Sequence, residues 1–261
     1  MIKINYDKCV GCLKCTRVCI WTIIEERDGK PYVLEDKAQG CIKCMHCGIV
    51  CPEGAIEFKE QPMMISEDKP IVSDTFPEDL ESFLLTRRSY RDFRDQEVDP
   101  EIIKQALEVA SWAPSAKNQH PTKYYVIQGK EKIDRMTEII MKYVEETGSS
   151  AELIPEMARG NNMVFGKANT VILAYCRNNA INPQTDSALA LDYADLYLQS
   201  KGLGTCWAGY FARFANVIPE LQEMFPLPDN NKFYGSLLVG WPKEDYLYIP
   251  ERIKRADIIF K

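Results

Sequence analysis

The chain has 261 residues, 46% of them hydrophobic, and a formal net charge of -6. That length accommodates one large domain or a small one plus a medium one, and the acidic balance argues against a nucleic-acid partner. No apolar run reaches the ~18 residues of a membrane span and the opening residues lack the apolar core of a secretory signal, so no membrane partner and a cytoplasmic location are expected.

In chain order, an internal repeat comes first. Cys9, Cys12, Cys15 and Cys19 recur 32 residues later as Cys41, Cys44, Cys47 and Cys51, and only Cys176 and Cys206 lie beyond them. Each half reads as a short strand, a tight cysteine loop and a brief helical turn, followed by a short apolar stretch. Residues 1–60 form a duplicated module too small to hold together without its metal. Residues 61–79, punctuated by Pro62, Pro70 and Pro77, are expected to be a linker along the surface.

Residues 80–261 alternate helical and strand patterns. Asp99-Pro100 is an N-cap followed by proline at the first helical position, opening a helix over residues 99–112. A strand is expected at 122–128, a helix at 131–146 and a buried strand at 170–177. Asn182-Pro183 is read as the cap of a long helix running to Ser200. Its apolar residues nearly encircle it, which predicts burial on most sides, and Gly202 ends it. Strands at 204–211 and 233–241 complete an α+β domain with a central sheet and many helices.

The spacing C-x2-C-x2-C-x3-C puts three thiolates on one loop, each for a different iron of a cubane, while the fourth cysteine ligates the other cluster. The sets are therefore Cys9, Cys12, Cys15 and Cys51 for one [4Fe–4S] cluster, and Cys41, Cys44, Cys47 and Cys19 for the other. Paired zinc sites are the alternative, but zinc closes on two CxxC units and leaves the third and fourth cysteines of each run without a role. Residues 1–60 resemble bacterial two-cluster ferredoxins. They depart from them at Ile20, where the family has a proline. His46 is read as an exposed spacer.

Three further segments carry a second chemistry. Arg87, Arg88, Ser89 and Arg91 offer guanidinium and hydroxyl donors suited to a phosphate, although such a cluster by itself is usually a solvated helix end. Residues 113–121 (Ala-Pro-Ser-Ala-Lys-Asn-Gln-His-Pro) follow a helix, and residues 202–209 (Gly-Leu-Gly-Thr-Cys-Trp-Ala-Gly) follow the long one. The order of R-R-S-x-R, A-P-S-x-x-N and G-L-G-T-C-W-x-G resembles the FMN-dependent nitroreductase family over about residues 80–261.

That resemblance implies a ferredoxin-like two-cluster module followed by a nitroreductase-like α+β sandwich, with FMN at the interface of a homodimer. It also implies that Arg87, Arg88, Ser89 and Arg91 bind the FMN phosphate and pyrimidine edge. Pro114, Ser115, Ala116 and Asn118 would reach the flavin from the partner subunit. Gly209 would offer a backbone N–H near flavin N5, and Asn161 would meet the ring edge. Arg252, with Arg255 in reserve, would be the last phosphate contact. His120 stands where the family often continues differently, near the open flavin face, and is a candidate substrate-side or catalytic residue. Cys176 and Cys206 are read as small buried residues, and a dehalogenating lid is not evident.

The expected activity is that of an iron–sulfur flavoprotein oxidoreductase. Electrons would pass between the two clusters and FMN to a small organic acceptor such as a nitroaromatic, a quinone or an activated alkene. No GxGxxG run follows a strand, so the donor is an external ferredoxin or flavodoxin, or NAD(P)H visiting the open flavin face. An electron carrier or redox sensor, and a flavin-dependent dehydrogenase of a specific metabolite, are the competing readings.

Overall fold

The computed structural model describes residues 2–58, 72–251 and 257–261. The chain divides into two compact units, Met1–Ser73 and Asp74–Lys261.

In the first unit, strand β1 (Ile2–Ile4), helix α1 (Lys14–Val18), strands β2 (Ile24–Arg27) and β3 (Lys30–Val33), helices α2 (Glu35–Ala38) and α3 (His46–Ile49) and strand β4 (Ile56–Phe58) follow one another. β1 pairs antiparallel with β4, joining the two ends of the module, and β2 pairs with β3 as a hairpin. The hairpin turns at Asp28 and Gly29, both at positive φ (50° and 74°), the geometry that matches the twist of adjoining strands. The sequence repeat is also a conformational one. Gly11 and Leu13 have φ of 68° and 58°, and Lys43 and Met45, 32 residues on, have 52° and 64°. Non-glycine residues seldom adopt such angles, so their recurrence marks the cysteine loops as two copies of one turn. The core is small, gathering Ile2, Ile23, Ile24, Ala38 and Ile56 around Cys15 and Cys47.

The second unit opens with helix α4 (Phe76–Thr86) and continues with α5 (Pro100–Ala110), β5 (Lys123–Gln128), α6 (Lys130–Thr147), α7 (Leu153–Ala158), β6 (Thr170–Arg177), α8 (Pro183–Ser200), β7 (Gly204–Trp207), α9 (Gly209–Ala215), α10 (Pro219–Met224) and β8 (Asn231–Gly240). The four strands form one antiparallel sheet in the order β5-β6-β8-β7. Both faces are covered. Along β6, Val171 and Leu173 enter a core with Met136, Ile140, Phe211 and Phe214, while Ile172 and Ala174 enter another with Ile103, Leu191 and Leu198. This period-2 division explains why β6 reads as an unbroken apolar run: each face has a helical layer to meet.

Several expectations change in detail. The second unit starts before residue 80, because α4 begins inside the expected linker, with Pro77 in its first turn. Residues 61–71 of that linker lie outside the described residues. The strand expected over 204–211 stops at Trp207. There the ladder ends with Ala208 donating its N–H to Ser236 O at 2.8 Å, and the chain turns into α9. The long helix α8 is buried along one face (Ser187, Ala190, Leu191, Ala194, Leu198) rather than most of its circumference. Leu189 and Leu196 are half-buried and Tyr193 is exposed. Asp99 caps α5 as expected, its side chain accepting from Glu101 N at 2.9 Å, whereas the Asn182 side chain makes no such bond.

Candidate cofactor sites

The cysteines fall into two sets of four. Cys9, Cys12, Cys15 and Cys51 line one cavity together with Leu13 and Ile56. The thiols that act electrostatically on Cys47 are Cys19, Cys41 and Cys44. Burial is the main cause raising the Cys15 thiol, with Cys51 and Cys9 adding to it. The same cause, with like charge from the other three, pushes Cys47 up to about 12. Protonated thiols buried this way give up their protons only to something that compensates the charge. The loops also aim backbone donors at sulfur: Ile23 N–H to Cys19 Sγ at 3.4 Å, Lys43 N–H to Cys41 Sγ at 3.4 Å and Ala55 N–H to Cys51 Sγ at 3.3 Å. Such bonds stabilise thiolates and set cluster potentials. Among the described residues, no group of three or more His, Cys, Asp or Glu side chains has the geometry to hold a single metal ion. Soft donors in quartets fit an iron–sulfur cluster.

In the second unit, residues 87–91 run beside β7. Ser89 bridges to Thr205 in parallel and Tyr90 N–H donates to Thr205 O at 2.8 Å. This non-local pairing brings the first and third motifs together. Arg87, Ser89 and Trp207 share a cavity with Thr185, Asp192 and Asp195. Gly235 on β8 makes room there, since a Cβ would lie 2.7 Å from both Leu191 Cδ1 and the Trp207 ring. Behind the cavity stands a polar network. Arg87 Nη1 lies 3.6 Å from Asp195 Oδ2, and Asp195 Oδ1 accepts from Gln199 Nε2 at 2.9 Å and from the Thr205 hydroxyl. Burial, then the nearby Asp195 charge, raises the Asp192 carboxyl, with Arg87 opposing.

Arg91 lies elsewhere, lining a second cavity with Asn161, Met163 and Lys167. Arg88 joins neither cavity: its guanidinium donates to Leu85 O at 2.7 Å and Arg87 O at 2.8 Å, closing the end of α4. Pro114, Ser115, Ala116 and Asn118 sit on the loop after α5, which lines neither cavity. That loop is held to α8, with Ala116 N–H donating to Asp186 Oδ1 at 2.9 Å. His120 Nε2 is 2.8 Å from Asn118 Oδ1. Gly209 opens α9, two residues past Trp207. Arg252 and Arg255 lie outside the described residues. Burial raises both the Cys176 and the Cys206 thiol, as expected of small core residues.

Asp186 and Asp195 escaped the reading of the sequence. Their signal was present, since a carboxylate on the buried face of an apolar helix is rare unless it is partnered.

The model of the nitroreductase family matches residues 84–241, and that of a 4Fe-4S dicluster domain matches residues 8–56. Among curated proteins, a putative NADH dehydrogenase/NAD(P)H nitroreductase of Archaeoglobus fulgidus is 24% identical over 179 residues, covering 66% of this chain and 94% of its own. A 4-nitrobenzoate reductase of Nocardioides sp. is 29% identical over 215 residues, covering 66% and 84%. Among solved structures, a nitroreductase with bound FMN from Bacteroides fragilis matches with a TM-score of 0.59 at 18% identity, over 70% of this chain and 98% of that one. One with bound FMN from Desulfitobacterium hafniense matches at 0.58 and 22% identity, over 69% and 97%. At these identities the structural likeness establishes the fold.

Proposed function

This chain belongs to the nitroreductase family, and from that premise we propose that it is an iron–sulfur flavoprotein passing electrons between two [4Fe–4S] clusters and FMN to a small organic acceptor. The observation that carries the proposal is the presence, in one chain, of the family's match over residues 84–241 and of two cysteine quartets within residues 8–56. Bound FMN would supply the exchange between one-electron and two-electron chemistry that clusters alone do not perform.

The chain's own residues hold, orient and shield. Residues 1–60 are the cluster domain, and the flavin domain runs from α4 through the rest of the second unit. Cys9, Cys12, Cys15 and Cys51 take one cluster and Cys41, Cys44, Cys47 and Cys19 the other. Arg87, Ser89 and Arg91 give fixed positive charge and donors to the phosphate and pyrimidine edge, with Asp195 keeping Arg87 in its orientation. Arg88 is assigned to the same edge by the family pattern and must leave the end of α4 to reach it. Asn161 meets the ring edge, Gly209 presents its N–H, and Arg252 closes on the phosphate. Pro114, Ser115, Ala116 and Asn118 act in a second copy's site. A homodimer is supported by α4, which has no buried residue yet carries Phe76, Leu80, Leu84 and Leu85 exposed, and by exposed Leu247, Tyr248 and Ile249 near the chain's end. Unpartnered apolar surface of this kind marks an interface.

The donor is a reduced ferredoxin or flavodoxin entering through the clusters. The relatives' names favour a second reading, with NAD(P)H reducing the flavin directly. Anaerobic stopped-flow decides between them. Fast flavin bleaching by reduced ferredoxin supports cluster entry; fast bleaching by NAD(P)H and none by ferredoxin overturns it.

A further inference from the structure

We propose that Asp186 is a positioning residue that holds residues 113–120 in the conformation the flavin requires; this rests on the reading that FMN binds through that segment. Asp186 lies in the first turn of α8 and is 4% exposed. Its Oδ1 accepts from Ala116 N at 2.9 Å across 70 positions of sequence. Its Oδ2 is, among the described residues, the one buried side-chain polar atom with no hydrogen-bond partner.

Two observations set this carboxylate apart from an ordinary helix-start residue. First, it is half-used. A buried carboxylate with one oxygen unpaired stabilises the fold less than an apolar side chain of similar size, so core packing alone gives no reason for it. Second, the loop it grips is strained. Ser115 is extended (φ -143°, ψ 156°), and then Lys117, Asn118 and His120, none of them glycine, stand at φ of 50°, 55° and 42°. Backbone of this kind persists only where its surroundings over-determine it. Within the loop, Asn118 N–H donates to Ser115 O at 3.0 Å and His120 N–H to Ser115 Oγ at 2.9 Å. These bonds shape the loop from within. The Asp186 bond joins the strained turn to α8, the helix whose Thr185, Leu189 and Leu191 line the Arg87 cavity.

The test uses the full chain with its clusters in place and flavin removed. FMN affinity is measured by fluorescence quenching and thermal stability by calorimetry, for wild type, Asp186→Leu and Asp186→Asn. Asp186→Leu should weaken FMN binding about tenfold or more, the scale of one lost hydrogen bond to a charged group. Its flavin-free Tm should stay unchanged or rise. Asp186→Asn keeps an oxygen for Ala116 N–H and should bind FMN within about threefold of wild type. If Asp186→Leu does not fold, Asp186→Ala takes its place, and Asn must rescue what Ala loses. Equal FMN binding by Leu or Ala and wild type overturns the positioning role alone. So does a fall in Tm that tracks the loss of affinity in both variants, because that is a merely structural role. No FMN binding by wild type overturns the function proposed above together with this inference.

Discussion

Cys19 shows how far a single side chain carries the assignment. It follows three cysteines of its own loop, yet the thiols that raise Cys47 include it beside Cys41 and Cys44. In a Cys19→Ser protein, iron and sulfide analysis with EPR should report loss of the cluster held by Cys41, Cys44 and Cys47; loss confined to the cluster of Cys9, Cys12 and Cys15 would sink the crossover. Arg87 is a second case, its Nη1 lying 3.6 Å from Asp195 Oδ2. Asp195→Asn removes the charge and keeps one acceptor, so FMN affinity should fall by about three- to tenfold, the range of one partly buried charge pair. An unchanged Kd would show that Arg87 is held without it. Cys176 and Cys206 are 1% and 4% exposed, and burial raises both thiols. Raised thiols hold less thiolate at neutral pH. Iodoacetamide at pH 7.5 should therefore leave both unlabelled in the folded holoprotein, as read by peptide mass spectrometry. Rapid alkylation of either would restore a redox role.

Elements followed the sequence where local chemistry decides them. Asp99, Pro100 and the apolar spacing of α5 suffice for that helix, and its cap is present at 2.9 Å. Asp99→Ala should cost about 1 kcal/mol in urea unfolding of the second unit. α8 was legible as a helix, while its burial was not: a sequence shows how much apolar surface a helix carries but not which part of it this chain covers. β7 ended early for a similar reason. Its residues 204–207 and the following Ala208-Gly209-Tyr210-Phe211 are equally apolar, but Ser236 accepts from Ala208 and its hydroxyl donates back to Ala208 O at 2.7 Å. The Ser236 hydroxyl thus takes the Ala208 carbonyl, and the chain enters α9 at Gly209. Gly235 sets how closely α8 and Trp207 approach β8. Gly235→Ala should destabilise the second unit by about 1–3 kcal/mol through overpacking, measured by the same unfolding curve.

At the scale of the whole molecule the two units differ in what supports them. The second has two apolar cores on either face of its sheet. The first has a handful of buried side chains around its cysteines, below what a module of its size needs without staples. Iron removal by a chelator under reducing conditions should therefore unfold the first unit and leave the second folded, visible as loss of one calorimetric transition and as proteolysis confined to residues before Asp74. A single cooperative loss of both would contradict independent support.

The sequence by itself determined the family over residues 84–241, the match to a 4Fe-4S dicluster domain over residues 8–56, and most helices and strands. Cysteine spacing, caps and apolar periodicity all act within a few residues, where the order of side chains is already geometry. Only the tertiary structure decided what depends on distant segments: that Ser89 lies beside Thr205, that Arg87 shares a cavity with Trp207 while Arg91 joins Asn161, and that Asp186 grips Ala116. Each of these joins residues scores of positions apart, and their meeting is set by how helices pack on a sheet, which no local pattern encodes.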